Sequence, residues 1–213
     1  MTSSSNPIVC VINDHPSECE SLAQVARSIG WQCESFSSAH DFLAHPRPFT
    51  PSCLIADISL SDMDGLELQQ RLSAERPEIS IIFVSDRCDV RIAVRAMKAG
   101  ATEFLTKPYD RDLLLSALRQ GLRRSEAVLG RETELRTLRS DFGSLTPRER
   151  EVMTLVVSGL LNKQVGGELG ISEITVKAHR GNVMRKMKAD SLAALVNMAG
   201  RLRITRQLLT SAA

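Results

Sequence analysis

Leu54-Ile55-Ala56-Asp57-Ile58-Ser59-Leu60 is a short apolar run broken by a carboxylate, and turn-forming residues follow it as far as Gly65. Continuous apolar runs of this length are typical of strands that are buried on both faces of a parallel sheet. In open α/β sheets, ligands and reactive groups lie beyond the carboxyl ends of the strands. Asp57 therefore occupies a position suited to chemistry, although a carboxylate there could equally cap the helix that follows.

Apolar stretches and helical patterns alternate on both sides of this run. The other predicted strands cover 8–12, 32–36, 79–84 and 102–106, and the predicted helices cover 17–29, 38–45, 65–75, 89–99 and 110–124. Five strands alternating with five helices imply a doubly wound, five-stranded parallel sheet with helices on both faces. One edge of that sheet would gather the polar residues that follow its strands, namely Asn13, Asp14, Asp57, Ser85 and Lys107.

The segment after these elements favours a helix. Residues 122–142 contain no proline and a single glycine, Gly130, and their leucines form a loose helical stripe. We predict a helical linker over 125–142 between an α/β domain at 1–124 and a second domain at 143–213. A solvated, charged connector is the alternative, and the sequence leaves open whether the linker continues the preceding helix.

The region after Gly143 is helical throughout. Thr146, Pro147 and Glu149 mark a helix start, with Thr as N-cap, Pro at the first position and an acid at the third. Further helices are predicted over 162–169, from the cap Ser172 to about 187, and from Asp190 onward. The short turn that contains Gly170 fits a helix-turn-helix within an all-α, four-helix domain.

Charge is distributed unevenly along the chain. Residues 1–125 contain 13 Lys/Arg and 16 Asp/Glu, whereas residues 144–213 contain 11 and 5. A basic C-terminal third beside an acidic N-terminal part indicates that the second domain faces a polyanion. We therefore expect nucleic acid to be the partner of the C-terminal domain.

Composition also predicts the compartment. No stretch approaches the roughly 20 apolar residues of a membrane span, and the N-terminal residues lack the features of a signal peptide. The cysteines Cys10, Cys19, Cys33, Cys53 and Cys88 are odd in number and show no CxxC spacing. We expect reduced thiols, a cytoplasmic location and no membrane partner.

Two motif sets carry a family resemblance. The strand-end residues resemble the receiver domain of two-component response regulators. The runs Leu145-Thr-Pro-Arg-Glu-Arg-Glu-Val, Asn162-Lys163-Gln164 and Leu169-Gly-Ile-Ser-Glu-Ile-Thr-Val-Lys-Ala-His-Arg180 resemble the LuxR-type helix-turn-helix. Together they are similar to the NarL/FixJ family over nearly the whole chain. The resemblance implies a flavodoxin-like receiver and a transcription factor, not an enzyme.

The family's mechanism would act through a small set of receiver residues. A sensor histidine kinase would phosphorylate Asp57, Lys107 would pair with a phosphoryl oxygen, and Ser85 would hydrogen-bond another and switch together with Phe104. Mg²⁺ would supply the neutralisation that an anionic nucleophile needs. By resemblance its ligands are Asp14, Asp57, the Ser59 backbone carbonyl and, through a water, Asn13. Each residue could instead serve as a cap or a core residue.

Two departures from the family pattern affect this site. Asn13 stands where a second acid is usual, and one charge at about 6 Å is worth roughly 1–3 kcal/mol. We therefore expect Mg²⁺ binding to be weaker by about tenfold or more. Asp86 follows Ser85 where a small residue is usual, and it would repel an anionic donor. These departures raise the alternative of an atypical transcription factor that binds DNA largely independently of phosphorylation.

A third class, a phosphatase with an aspartyl nucleophile, would carry an Asp at position 59, where this chain has Ser59.

The helix-turn-helix resemblance assigns contacts to double-stranded DNA. Lys177, Ala178 and Gly181 would face bases, Arg180 and Asn182 are additional readers, and His179 is either a reader or a structural residue. Asn162, Lys163, Ser172 and Thr175 would contact phosphates. In the last helix, Leu192, Leu195, Val196 and Ala199 would partly close the core. Their exposed part would pair two domains of an active homodimer on a two-fold operator, and RNA polymerase is a further candidate partner.

Overall fold

Strands and helices alternate in the predicted order through the first part of the chain. The computed structural model describes residues 6–47, 49–86 and 89–204. The strands are β1 (Ile8–Ile12), β2 (Gln32–Phe36), β3 (Ser52–Asp57), β4 (Ser80–Ser85) and β5 (Glu103–Thr106). The helices between them are α1 (Pro16–Arg27), α2 (Ala39–Ala44), α3 (Gly65–Glu75) and α4 (Val90–Lys98). Predicted and observed bounds differ by at most two residues, because the end positions form turns and caps.

All strand pairs in the described residues are parallel, and the sheet order is β2-β1-β3-β4-β5. The chain winds from β1 outward to β2 and then returns to place β3 on the other side of β1. The doubly wound parallel sheet is therefore confirmed. The reversal creates a switch point between β1 and β3, where α/β sheets of this order place their ligands.

Side-chain alternation along the strands builds a core on each face of the sheet. Ile12, Leu54 and Phe83 pack with the core residues of α2 and α3 on one face. Val11, Ile55 and Val84 pack on the other face with residues of α1 and with Leu114 and Leu118. Because neighbouring residues of a strand point to opposite faces, a strand buried on both sides must be apolar throughout, as 54–56 is.

The linker region is part of one long helix. Helix α5 runs from Arg111 to Gly143, a length of 33 residues, and so continues the predicted helix over 110–124. No proline interrupts it, and Gly130 weakens a helix interior by only about 1 kcal/mol. The chain divides into two compact units between Gly130 and Arg131. The limits 124 and 143 of the linker remain our prediction.

The second unit contains the predicted helices. They are α6 (Pro147–Val157), α7 (Asn162–Leu169), α8 (Glu173–Lys186) and α9 (Leu192–Arg201). The capping box of Thr146 and Glu149 is present, and Gly170 adopts the left-handed conformation at φ 65°. One cap differs from the prediction. Ser191, not Asp190, caps α9, because its side chain accepts the Ala194 amide.

A buried carboxylate ties two helices of this unit together. Glu149 accepts hydrogen bonds from Lys186 Nζ at 2.7 Å and from the Thr146 amide at 2.9 Å. The hydrogen bond from Lys186 is the main cause that holds the pKa of Glu149 below its usual value, although burial opposes it. The start of α6 is thereby attached to the end of α8.

Two adjacent glycines of α7 are expected to respond oppositely to alanine. A Cβ on Gly166 would lie 2.7 Å from the backbone oxygen of Ile171, whereas a Cβ on Gly167 would meet nothing within 4 Å. We expect Gly166→Ala to destabilise the second unit by about 1–3 kcal/mol. Gly167→Ala should stabilise it by up to about 1 kcal/mol through helix propensity. Hydrogen exchange of the α7 and α8 amides measures both, and equal shifts in one direction would contradict the turn geometry.

The cysteines are consistent with the expected chemistry where they are described. Cys10, Cys19, Cys33 and Cys53 are free, and Cys88 lies outside the described residues. Burial raises the pKa of Cys10 to about 12 and that of Cys33 to about 11. Both thiols are therefore protonated and poorly reactive near neutral pH. Among the described residues, no helix is both long and apolar enough to cross a bilayer.

Candidate functional site

A polar cavity of about 290 Å³ opens at the switch point between β1 and β3. It is bordered by Asn13, Asp14, His15, Asp57, Ser59, Ser85 and Asp86. Each of these residues belongs to the carboxyl end of β1, β3 or β4, or directly follows one. The sheet therefore brings together the strand-end residues singled out from the sequence.

Asp57 faces this cavity from the last position of β3. Its Oδ1 accepts the Ser59 amide at 2.9 Å, and its Oδ2 lies 3.3 Å from Lys107 Nζ. The helix-capping alternative for Asp57 is wrong, because Asp64 accepts the Leu66 amide at 2.8 Å and so caps α3. Asp57 is thus available to the cavity.

The residues after β1 form the second side of the cavity. Asp14 Oδ2 accepts the Ser61 amide at 2.9 Å, which ties the loop after β3 to the end of β1. Asn13 is 2% exposed. Its Oδ1 accepts the His15 amide at 2.7 Å, and its Nδ2 donates to Glu18 Oε2 at 2.8 Å. The Asn13 side chain is therefore fixed on both of its polar atoms.

Lys107 stands among three carboxylates. Its Nζ lies 3.3 Å from Asp57 and 3.5 Å from Asp86, and it makes a still shorter ion pair with Glu18. Burial alone would lower the pKa of Lys107, but the hydrogen bond to Glu18 and the charge of Asp57 outweigh it and raise the pKa. The same hydrogen bond is the main cause that lowers the pKa of Glu18. Lys107 is therefore charged and strongly held.

Sequence reasoning did not identify Glu18. It lies in the first turn of α1, the helix that begins directly after Asn13 and Asp14. That position is the signal that could have found it, because the first turn of a helix following a strand stays beside the strand's carboxyl end. Its partner Lys107 is 89 residues away in the sequence.

Ser85 and Phe104 are the two predicted switch residues. Ser85 is buried, and its backbone oxygen accepts the Lys107 amide at 2.8 Å. Phe104 is partly buried, with its ring centroid 6.4 Å from that of Phe83, and it borders a cavity of about 590 Å³ with Tyr109. The switching role of Ser85 and Phe104 stays a prediction.

The donor atoms at the cavity suit one kind of metal. The predicted ligands supply only oxygens: two carboxylates, a backbone carbonyl and an amide oxygen. Within the described residues, no three His, Cys, Asp or Glu side chains converge into a metal cage. Such a sparse oxygen set fits Mg²⁺, which retains several waters and uses one or two protein carboxylates.

One face of α8 carries the predicted base-reading residues. Lys177, Ala178, Gly181 and Asn182 are exposed, whereas Val176 and Val183 are buried in the unit's core. Ile174 was missed by the sequence reasoning. It is 79% exposed and precedes Lys177, Ala178 and Gly181 at helical spacings of three, four and seven. These four residues form one surface stripe, which we call the α8 stripe.

Several predicted DNA contacts have partners within the unit. Arg180 donates to Asn162 Oδ1 at 3.2 Å and so links α8 to the start of α7. Ser172 Oγ accepts the Thr175 amide at 3.1 Å and bonds the Thr175 hydroxyl at 2.8 Å. Lys163 is exposed, and His179 is half-buried. Arg180, Ser172 and Thr175 therefore shape the helix-turn-helix whatever else they contact.

Helix α9 has a buried side and an exposed side, as the sequence predicts. Leu195 and Ala199 are buried in the core, and Leu192 and Val196 are exposed. The part of the helix that closes the core is thus distinct from the part that remains on the surface of this unit.

The fold and the two surfaces define a receiver-type phosphoacceptor unit followed by a helix-turn-helix unit. Residues 9–119 match the family model described as the response regulator receiver domain. Residues 143–199 match the model for bacterial regulatory proteins of the luxR family. The chain belongs to the response regulators that combine these two domains.

Known relatives extend the match along the chain. Nodulation protein W of Bradyrhizobium diazoefficiens is 42% identical over 202 residues, which are 95% of this chain and 89% of that protein. Transcriptional regulatory protein FixJ of Azorhizobium caulinodans is 40% identical over 192 residues, 90% of each chain. The solved structure of the response regulator StyR has 44% identity and a TM-score of 0.80, and covers 92% of this chain and 100% of its own.

These matches confirm the NarL/FixJ prediction. The chain is a phosphorylation-controlled transcription regulator, since it joins a receiver to a LuxR-type DNA-binding domain and resembles response regulators over almost its full length. DNA and a histidine kinase are the partners that this pair of domains implies. Receiver domains generally bind Mg²⁺ at the phosphorylation site.

Proposed function

We propose that Asp57 accepts a phosphoryl group from a sensor histidine kinase, and that this modification promotes dimerisation and binding to a two-fold DNA operator. The observation that carries the proposal is the pairing of Asp57 Oδ2 with Lys107 Nζ, 3.3 Å apart at the switch point of the sheet. A carboxylate and a fixed cation at a strand end provide a nucleophile and a partner for the incoming charge.

The chemistry follows from the chain's own groups. A carboxylate oxygen of Asp57 attacks phosphorus, the bond from phosphorus to the kinase histidine nitrogen breaks, and the electron pair stays on that nitrogen. The Lys107 ammonium pairs with one phosphoryl oxygen, and the Ser85 hydroxyl donates to another. Phe104 then repacks as Ser85 moves. The receiver acts as a stoichiometric phosphoacceptor rather than as an enzyme with a separate substrate.

The proposed metal ligands are Asp14, Asp57, the Ser59 carbonyl and, through a water, Asn13. When bound, Mg²⁺ offsets the repulsion between the nucleophile and the phosphoryl oxygens. Asn13 carries no charge, and Glu18 beside it is engaged by Lys107. These contacts support weak Mg²⁺ binding, since only two carboxylates are left for the cation.

The α8 stripe is the proposed base-reading surface. Helix N-terminal residues reach base edges in the major groove, where lysine suits guanine and apolar groups suit the thymine methyl. Lys177, Ala178 and Gly181 would therefore face bases together with Ile174, while Arg180, Asn182 and His179 lie next to them along the helix. Asn162, Lys163, Ser172 and Thr175 would contact phosphates and set the register.

Dimerisation would use an exposed apolar surface of the second unit. Leu192 and Val196 project from α9 and remain uncovered within the unit. Two copies paired through α9 would present two α8 stripes to half-sites about one helical turn apart. RNA polymerase is the further partner that a DNA-bound regulator would meet. Binding to a DNA operator would take place in the cytoplasm.

The test compares the chain with and without a small phosphodonor and Mg²⁺. The DNA probe is a set of duplexes enriched from a random library by the phosphodonor-treated protein, with scrambled duplexes as control. We expect labelling to produce a dimer and to tighten binding to the enriched duplexes by about tenfold or more. Complete labelling without any change in mass in solution or in affinity would instead support DNA binding that is independent of phosphorylation.

A further inference from the structure

Glu18 is a further carboxylate beside the phosphoacceptor site, and it shares Lys107 with Asp57 and Asp86. A single oxygen of its side chain, Oε2, accepts hydrogen bonds from both Lys107 Nζ and Asn13 Nδ2, the latter at 2.8 Å. The Glu18 side chain is 36% exposed and that of Lys107 16% exposed. Glu18 lies in the first turn of α1, and its carboxylate binds Lys107, which directly follows β5.

Glu18 competes with Asp57 for the same cation. The ion pair of Lys107 with Glu18 is shorter than its contacts with Asp57, at 3.3 Å, and Asp86, at 3.5 Å. A lysine ammonium is a compact point charge on a flexible stem, and its position follows its strongest partner. Lys107 already lies beside Asp57, but it must loosen its ion pair with Glu18 to follow the oxygens of a phosphoryl group on Asp57, and Glu18 opposes that adjustment.

Asn13 is the residue that permits this arrangement. Its amide nitrogen can donate to Glu18, and its amide oxygen still accepts the His15 backbone N–H at 2.7 Å. A carboxylate at position 13 has no proton to donate near neutral pH. It would repel Glu18 at the same separation and turn that side chain away from Lys107. Asn13 is uncharged, and the negative charge beside Lys107 comes from Glu18 instead.

We propose that Asn13 and Glu18 form a latch that restrains the Lys107 ammonium through its ion pair with Glu18 and so slows phosphorylation of Asp57. Glu18 is a positioning residue, because it acts through Lys107 and touches neither the nucleophile nor the phosphoryl group. The inference rests on the proposed function of Asp57 and adds to it a restraint set by residues of α1. Release of the latch frees the ammonium to follow the developing charge.

The experiment measures the initial rate of mass gain by one phosphoryl group in the full chain, with a small phosphodonor and saturating Mg²⁺. We expect Glu18→Gln to gain the phosphoryl group about three- to tenfold faster than the unmodified chain, because the substitution releases one partly exposed, charged hydrogen bond. Glu20→Gln is the matched control. It removes the same charge from α1, where Glu20 pairs with Arg27 at 2.9 Å, and its labelling rate should not change.

A double-mutant comparison separates the latch from a simple loss of negative charge. In a Lys107→Ala background the latch predicts that Glu18→Gln gives no acceleration, because the residue it restrains is gone. Acceleration of equal size in that background would overturn the latch, as would unchanged labelling in Glu18→Gln while the parent chain labels. Slower labelling with a higher Mg²⁺ requirement would overturn it in favour of a metal-supporting role.

The outcomes also distinguish this inference from the proposed function. If neither the parent chain nor Glu18→Gln gains a phosphoryl group, both the phosphoacceptor assignment and the latch are overturned. Labelling confined to Glu18→Gln would support the latch in its strongest form. Far-UV circular dichroism of each variant verifies that the receiver remains folded, and a folded variant makes the rate a measure of the site alone.

Discussion

Asp57→Asn is expected to abolish the gain of one phosphoryl group, lowering the initial labelling rate by more than about a hundredfold. An amide lacks the anionic oxygen that attacks phosphorus, yet it has nearly the same shape as the carboxylate. Its oxygen can still accept the Ser59 amide, which Asp57 accepts at 2.9 Å. The loss of activity should therefore occur without loss of structure. Intact mass after incubation with a phosphodonor and Mg²⁺ is the direct measurement.

The matched control for this variant is Asp64→Asn in the same loop. Asp64 caps α3 by accepting the Leu66 amide, and asparagine is an equally good N-cap. We expect Asp64→Asn to label at the parent rate. Protection of the β3 and β4 amides from hydrogen exchange should be retained in both variants. Unchanged labelling of Asp57→Asn would move the phosphoacceptor to another residue, which fragmentation of the labelled protein would locate.

Lys177→Ala is expected to weaken binding to enriched duplexes by about 1–3 kcal/mol, and to leave binding to scrambled duplexes nearly unchanged. Lys177 lies on the α8 stripe, its side chain is 62% exposed, and it pairs with Glu173 at 3.0 Å. A surface pair of this kind contributes little to stability, and alanine favours the helix. The change therefore removes the proposed base contact while the fold is maintained.

Lys163→Ala provides the contrasting result. Lys163 is exposed on α7 and is the proposed phosphate contact, so its loss should weaken binding to both classes of duplex alike. It should also reduce the slope of log affinity against log salt by about 1. Arg139→Ala, an exposed position on α5 with the same change in charge, should leave both affinities unchanged. Equal losses for Lys177→Ala on both duplexes would assign Lys177 to the backbone instead.

The local sequence is enough to predict most elements of this chain. The apolar run at 54–56 specifies a strand buried on both faces, and Thr146 with Glu149 specifies the start of α6. Gly170 marks the end of α7 because its left-handed conformation is accessible to glycine at little cost. These features depend on interactions between residues a few positions apart, and such interactions can be read from spacing alone.

The candidate site required one further step, which topology supplied. Strands that alternate with helices must run parallel, and parallel strands place their carboxyl ends at one edge. Asp14, Asp57, Ser85 and Lys107 can therefore be grouped from the sequence alone. The sequence left open whether Asp57 caps α3, and the structure answers this, because Asp64 is the carboxylate that accepts the Leu66 amide.

By itself, then, the sequence determined the order of strands and helices, the parallel sheet, the edge that carries Asp57 and the basic helix that follows Gly170. Only the tertiary structure decided that Glu18 binds Lys107. The physical reason is distance along the chain. Glu18 and Lys107 are 89 residues apart, and they meet because the start of α1 and the end of β5 lie at the same edge of the sheet, which no local pattern encodes. Asp57 thus shares Lys107 with Glu18, a partner that only folding brings into reach.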